Sequence, residues 1–246
     1  MFPLRDDNPT LHTSLVTFAI IGLNALAWFL LQGMGTDPAL SRSVCELGAI
    51  PGALLGRVVP GTEVALGPGA VCVIGEAPDW YTPLTSMFLH GGWFHIVGNL
   101  WFLFVFGDNV EDAMGPLRFA AFYLICGIAA FAAQAFSDPA SAIPMVGASG
   151  AIGGVMGAYA VLYPRAPVHL LIFLIIYVDR IVVPAVFMLG YWFVLQLLGG
   201  AGGEGSVAFW AHVGGFVAGL VLVRPFCVRS RLAAHSSLLS RRARGW

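Results

Sequence analysis

The chain has 246 residues, 58% of them hydrophobic and only 10% charged, with a formal net charge of -1 and a mean hydropathy of +0.83. That balance excludes an ordinary soluble core and leaves no basic surface for nucleic acid. It describes a polytopic membrane protein.

Six hydrophobic segments are read in chain order: 13–33, 93–107, 117–136, 148–163, 181–198 and 207–223. The last four follow one another closely, which predicts an all-α, compact six-helix membrane bundle over 13–223. Residues 1–12 read as a short polar tail and 224–246 as a basic tail facing lipid. The first segment lacks a small-residue cleavage site after a basic start, so it reads as a retained helix. There is no lysine, and an even number of spans puts both termini on one side. That side carries every arginine except Arg42 and Arg57, which share the long loop 34–92, so the termini are expected in the cytoplasm. A bacterial inner membrane is the expected location.

The long loop faces outward and holds Cys45 and Cys72. In an oxidising compartment they can pair as a disulfide; two buried free thiols are the other reading. Cys126 and Cys227 read as inert. After the loop, a helix opens with His95, and Asn99 lies one turn on, so the two share a face. They read either as functional polar groups or as interhelical glue. Gly107 to Gly115 reads as a helix end and cap. Segment 166–180 is broken by Pro167, His169 and Asp179-Arg180, and is expected at the inner face before the fifth helix. Gly199, Gly200, Gly202, Gly203 and Gly205 read as a flexible outward loop, a candidate lid.

Val146 to Gly154 opens the fourth segment, with Ser149 flanked by glycines. Gly150/Gly154 and Gly153/Gly157 are small-xxx-small pairs that let helices approach closely. The same glycines leave room for a substrate backbone to reach a serine nucleophile. Depth arguments favour the second function. At about 1.5 Å per helical residue, Ser149 sits roughly 24 Å above Arg165, His212 roughly 18 Å above Arg224 and His95 roughly 20 Å above Asp108. Three helices thus place polar groups in the outer half of a core about 30 Å thick. Gly215 and Gly219 repeat the spacing on the sixth segment, so the fourth and sixth can pack backbone to backbone and bring His212 to Ser149. A base needs the neutral imidazole, and a low-dielectric setting favours neutral groups. Neither helix carries a carboxylate, which predicts a Ser-His dyad. His95, Asn99 and the Ser149 N–H are the candidate donors to an oxyanion.

Those residues resemble the rhomboid intramembrane serine proteases. The resemblance is carried by Gly147-Ala148-Ser149-Gly150, by Ala211-His212-Val213-Gly214-Gly215-Phe216-Val217-Ala218-Gly219, by His95-x-x-x-Asn99 after His90-Gly91-Gly92-Trp93, and by Gly107-x-x-x-Glu111-x-x-x-Gly115. It implies a six-helix fold with Ser149 as nucleophile and His212 as base. It further implies His95 and Asn99 as oxyanion donors, and transmembrane-helix substrates cut near their outer end. The chain departs from the family in two places. Tyr81-Thr82 stands where a Trp-Arg pair is common, which leaves the anchoring of the first loop open. Gly153 stands where some members have an aromatic residue, so a ring against His212 must come from elsewhere or be missing. The fifth helix is similar to the family's proposed gate, with Trp192, Phe193 and Gln196 read either as gate residues or as lipid-facing groups.

No cofactor or metal is expected: no His-Glu-x-x-His occurs. Asp108 and Asp179 lie at the membrane boundary, too far out for an intramembrane aspartyl pair. Ala151 breaks the G-x-S-x-G elbow. His12, His169 and His235 fall at the opposite end from the site, and His90 reads as structural. Transmembrane proteins and lipids are the expected partners. The alternative function is a catalytically inactive rhomboid-like protein that binds transmembrane clients. A small transporter fits less well, since no paired broken helices mark a solute path.

Overall fold

The computed structural model describes residues 2–76, 79–174, 177–202 and 207–243. In chain order, β1 (Phe2–Asp6) leads into α1 (Leu15–Leu30). The long loop holds α2 (Ala39–Leu47), α3 (Pro51–Leu54), a hairpin of β2 (Glu63–Gly67) and β3 (Ala70–Val73), and α4 (Thr82–Thr85). Then come α5 (Trp93–Met114), α6 (Pro116–Ser137), α7 (Ser149–Leu162), β4 (Pro167–Leu174), β5 (Tyr177–Pro184), α8 (Ala185–Gly202), α9 (Phe209–Phe226) and α10 (Arg229–Ala243). All six hydrophobic segments are helices. Among the described residues, α6, α8 and α9 are long and apolar enough to cross a membrane alone, and α5 passes together with the bent segment Thr82–Phe88 before it.

The bundle is built around α7, whose residues from Gly150 to Tyr159 are all buried. A helix that is apolar on every side belongs inside a ring of others. Its partner is α9. A Cβ added at Gly215 would lie 1.9 Å from the Gly150 carbonyl oxygen, and one at Gly219 would lie 2.0 Å from that of Gly154. In return, a Cβ at Gly157 would meet the Phe216 carbonyl oxygen at 2.2 Å. The helices therefore touch main chain to main chain.

Each part of the Gly107…Glu111…Gly115 pattern has a structural task, and the segment is not a helix end: α5 runs through it to Met114. Gly107 lets α1 approach, since a Cβ there would sit 3.0 Å from Thr17 Cγ2. The Glu111 carboxylate accepts from the Val16 N–H (2.9 Å), the Thr17 N–H (2.7 Å) and the Thr17 hydroxyl (2.7 Å). It caps α1, whose own residue Ser14 makes no capping bond. Gly115 takes φ +78°, and Pro116 opens α6 at once.

Both tails are ordered where the sequence suggested loose ends. The expected tail 1–12 contains β1, which pairs with β4 in the antiparallel order β1-β4-β5. Beyond it, Asn8 and Asn109 exchange hydrogen bonds of 3.0 Å, and His12 Nδ1 lies 2.6 Å from Asp112. The segment 166–180 is part of a β-hairpin, and the fifth membrane helix begins at Ala185. Val168 and Leu170 are buried while Pro167 is exposed, a period-two pattern that mean hydropathy conceals. The basic C-terminal segment is the helix α10, docked by the Val228 N–H on the Ala113 carbonyl (3.0 Å) and by buried His235 against Tyr163. Arg244 lies outside the described residues. The helix α8 continues through Gly199, Gly200 and Gly202, which are therefore not loop residues; Gly203 and Gly205 lie outside the described residues.

The long loop is anchored in four places. A Cys45–Cys72 disulfide joins α2 to β3. Ala49 and Met145 exchange main-chain hydrogen bonds (3.0 and 2.7 Å), the Gly52 N–H donates to Ser141 (2.8 Å), and the Thr85 hydroxyl donates to Leu47 O (2.7 Å).

Two outcomes are expected. Gly219→Val forces the α7–α9 contact apart and lowers stability by about 1–3 kcal/mol or more, whereas Gly190→Ala on α8, where a Cβ meets nothing, leaves it within about 0.5 kcal/mol or raises it. Thermal unfolding in lipid or mild detergent checks both. Burial pushes the Asp6 carboxyl up to about 6, even though it accepts a hydrogen bond from Tyr159. A raised carboxyl favours the folded state when protonated, so its ionised form opposes folding above that pH. Asp6→Asn is expected to raise the melting temperature at neutral pH, with the gain fading as the pH falls through about 6 towards 4. A gain that does not change with pH would contradict this.

Candidate functional site

Ser149 is the first residue of α7, and its hydroxyl does not cap the helix. The turn before it is shaped by Gly147, which has φ +129° and donates its N–H to the Ser86 carbonyl (2.9 Å). Glycine is required there twice over. The conformation disfavours a side chain, and a Cβ would lie 2.7 Å from His95 Nε2 and 3.4 Å from Ser149 Oγ. His95 and Ser149 therefore border the same small volume above Gly147.

His212 lies in the first turn of α9. Its Nε2 is 2.8 Å from Ser149 Oγ and its Nδ1 is 2.7 Å from Gln196 Oε1 on α8. The Gln196 amide nitrogen donates to the Trp192 carbonyl (3.2 Å), which leaves the amide oxygen facing the imidazole. An amide oxygen only accepts. Nδ1 then carries the proton, and Nε2 offers a lone pair to the serine hydroxyl. The start of α9 is held by Gln134 of α6, whose side-chain oxygen accepts from the Ala211 N–H (3.3 Å).

On the other side of Ser149, the Gly91 N–H donates to His95 Nδ1 (3.2 Å). That bond fixes the opposite tautomer in this ring, with the proton on Nε2, the atom beside Gly147. His90, fully buried, packs edge-on against His95 with ring centroids 5.1 Å apart. Its main chain is clamped by Gln32, which donates to the His90 carbonyl and accepts from its N–H, both at 2.8 Å. Asn99 is buried, and its amide donates to the His95 carbonyl one turn back (2.8 Å). Among the described residues no hydrogen bond joins Asn99 to Ser149. Ser149, Gly150 and Ala151 open α7, so their main-chain N–H groups lack acceptors within the helix and carry its positive end.

Of the three residues read as gate candidates, two meet the imidazole. Trp192 lies against the His212 ring at 5.8 Å, tilted 38°. A Cβ at Gly153 would sit 3.7 Å from its Cη2. The ring missing from α7 is thus supplied from α8. Gln196 is the hydrogen-bond partner described above, and Phe193 stacks on Phe216 at 4.7 Å. The sequence reading missed Gln196 and Gln134 as partners in the site. The available signal was the spacing of Trp192 and Gln196, i and i+4 on one face of an otherwise apolar helix. A cavity of about 40 Å³ adjoins Ser149, bordered by Met87, Gly127, Phe131 and Ala208.

Residues 77–229 match the family model described as the Rhomboid domain. The Rhomboid protease GluP of Bacillus subtilis (strain 168) is 32% identical over 166 residues, 67% of this chain and 30% of that protein. Rhomboid-like protease 5 of Toxoplasma gondii is 32% identical over 152 residues, 58% of this chain and 16% of that protein. Rhomboid-like protein 11, chloroplastic, of Arabidopsis thaliana is 38% identical over 78 residues, 32% of this chain and 28% of that protein. The chain thus spans less than a third of the length of each of these relatives.

Proposed function

Because this integral membrane protein belongs to the rhomboid family, we propose that it is an intramembrane serine endopeptidase that cuts transmembrane-helix substrates near their outer end. The observation that carries this reading is the 2.8 Å contact between Ser149 Oγ and the unprotonated nitrogen of His212. Two relatives whose names include "protease", matched over 67% and 58% of this chain, support it.

In this reading Ser149 Oγ attacks the scissile carbonyl while His212 Nε2 takes its proton. The oxyanion that forms is met by the main-chain N–H groups at the start of α7 and by His95 Nε2–H. The Asn99 amide has a second N–H to add once the substrate is seated. His212 then gives its proton to the leaving amine, and water hydrolyses the acyl-enzyme by the same relay. With 14 residues, α7 is about 21 Å long against a hydrocarbon core of about 30 Å. Its serine end is therefore recessed below the loop-side surface, which fits cleavage near one end of a substrate helix. The small cavity beside Ser149 suits a small side chain at the cut. The distribution of arginines favours cytoplasmic termini, and a bacterial inner membrane suits the chain.

The test is cleavage of a single-span substrate, carrying small residues near its outer end, by the purified protein in liposomes. The wild type is expected to cut it, and Ser149→Ala and His212→Ala each lose about 10³-fold or more. Cleavage that survives Ser149→Ala overturns the assignment. A wild type that cuts none of several such substrates moves client binding without proteolysis to the front.

A further inference from the structure

We infer that Gln196 is a positioning residue for His212: its amide oxygen holds the Nδ1 proton and thereby aims the Nε2 lone pair at Ser149. This rests on the proteolytic reading of the site. Gln196 is only 8% exposed and sits mid-helix on α8, where a buried amide is unfavourable unless both of its ends are bonded. Both ends are bonded. The nitrogen donates to Trp192 O, and the oxygen accepts from His212.

Something other than a carboxylate must set the imidazole here, because α7 and α9 contain none. The side chains that face His212 from the packed elements are Ser149 of α7, Gln196 and Trp192 of α8 and Phe209 of its own helix. His95, across Gly147, is the nearby titratable group. Of these, the Gln196 oxygen alone is an acceptor within reach of Nδ1. Without an acceptor there, the neutral ring is free to place its proton on Nε2, where it blocks proton transfer from Ser149. A neutral acceptor also leaves the imidazolium of the reaction without a buried counter-charge, so its contribution is to tautomer and aim, through Gln196 and the Trp192 ring one turn earlier.

Both supports come from α8, the most exposed of the three long apolar helices. Any displacement of α8 away from α9 withdraws the acceptor and the ring together.

The experiment compares the full chain in liposomes as wild type, Gln196→Leu, Gln196→Asn and Gln196→Glu, with Ser149→Ala as the inactive control. Leu keeps the volume and removes the acceptor, Asn withdraws it by one methylene, and Glu returns an oxygen to the same place. Gln196→Leu and Gln196→Asn are expected to lower kcat about 10-fold or more with KM within about 2-fold, and Gln196→Glu to recover most of the loss. Nitrogen-15 spectra of His212 are expected to show the Nδ1–H tautomer in the wild type and Nε2–H, or a mixture, in the Leu and Asn variants. If the wild type cuts while both variants keep its kcat and its tautomer, Gln196 is only an interhelical contact and the inference fails while the proteolytic reading stands. A parallel fall in thermal stability with unchanged kcat overturns the inference in the same way. If the wild type does not cut, the proteolytic reading fails, and the tautomer spectra still decide whether Gln196 sets the ring.

Discussion

The main-chain contact between α7 and α9 is the constraint on which the rest of the molecule depends. In lipid, burying leucine gains little over leaving it against an acyl chain, so helices associate through close packing and polar contacts. Glycines at 150, 154 and 157 on one helix and 215 and 219 on the other remove the side chains that would hold the axes apart. The resulting approach sets the separation of Ser149 Oγ and His212 Nε2, two groups 63 residues apart in the chain. Larger residues at these positions would separate the same two groups without touching either.

Around that pair, three other elements supply orientation. The segment before α5 turns His95 towards Gly147, and Gln32 of the first helix region fixes the main chain of His90 beneath it. Gln134 holds the opening turn of α9. At the opposite end of α5, Glu111 and Asp112 tie α1, the N-terminal segment and α10 to one another. One helix therefore carries a candidate oxyanion donor at one end and the polar junction of both chain termini at the other. The two imidazoles at the site take opposite tautomers because their Nδ1 atoms meet opposite partners: a main-chain N–H for His95 and an amide oxygen for His212.

The fold was legible where one residue type has one dominant physical meaning. Six apolar runs gave six helices, and matched glycine spacings on two of them indicated the backbone-to-backbone contact. Serine and histidine at similar depth on those helices indicated where the site lies. Legibility ended where a segment's environment is set by distant neighbours. Residues 167–184 are as apolar as a short helix, and their strand pairing depends on β1, which arrives from the far end of the chain. The polar run 1–12 reads as a tail until Asn109, Glu111 and Asp112 bring it partners. Gln196 and Trp192 looked equally suited to face lipid, because a helical wheel gives the shared face but not the neighbour it meets. The disulfide could not be decided from sequence, since spacing alone does not bring Cys45 to Cys72; the packing of α2 against β3 does.

The central claim is that helix packing makes one serine, Ser149, into a nucleophile. The most direct measurement is the reaction of the membrane-embedded protein with a serine-directed fluorophosphonate, followed by peptide mapping of the adduct by mass spectrometry. The account predicts a single adduct on Ser149, absent when His212 is replaced by alanine. No adduct, or an adduct on another serine that persists without Ser149, would contradict it.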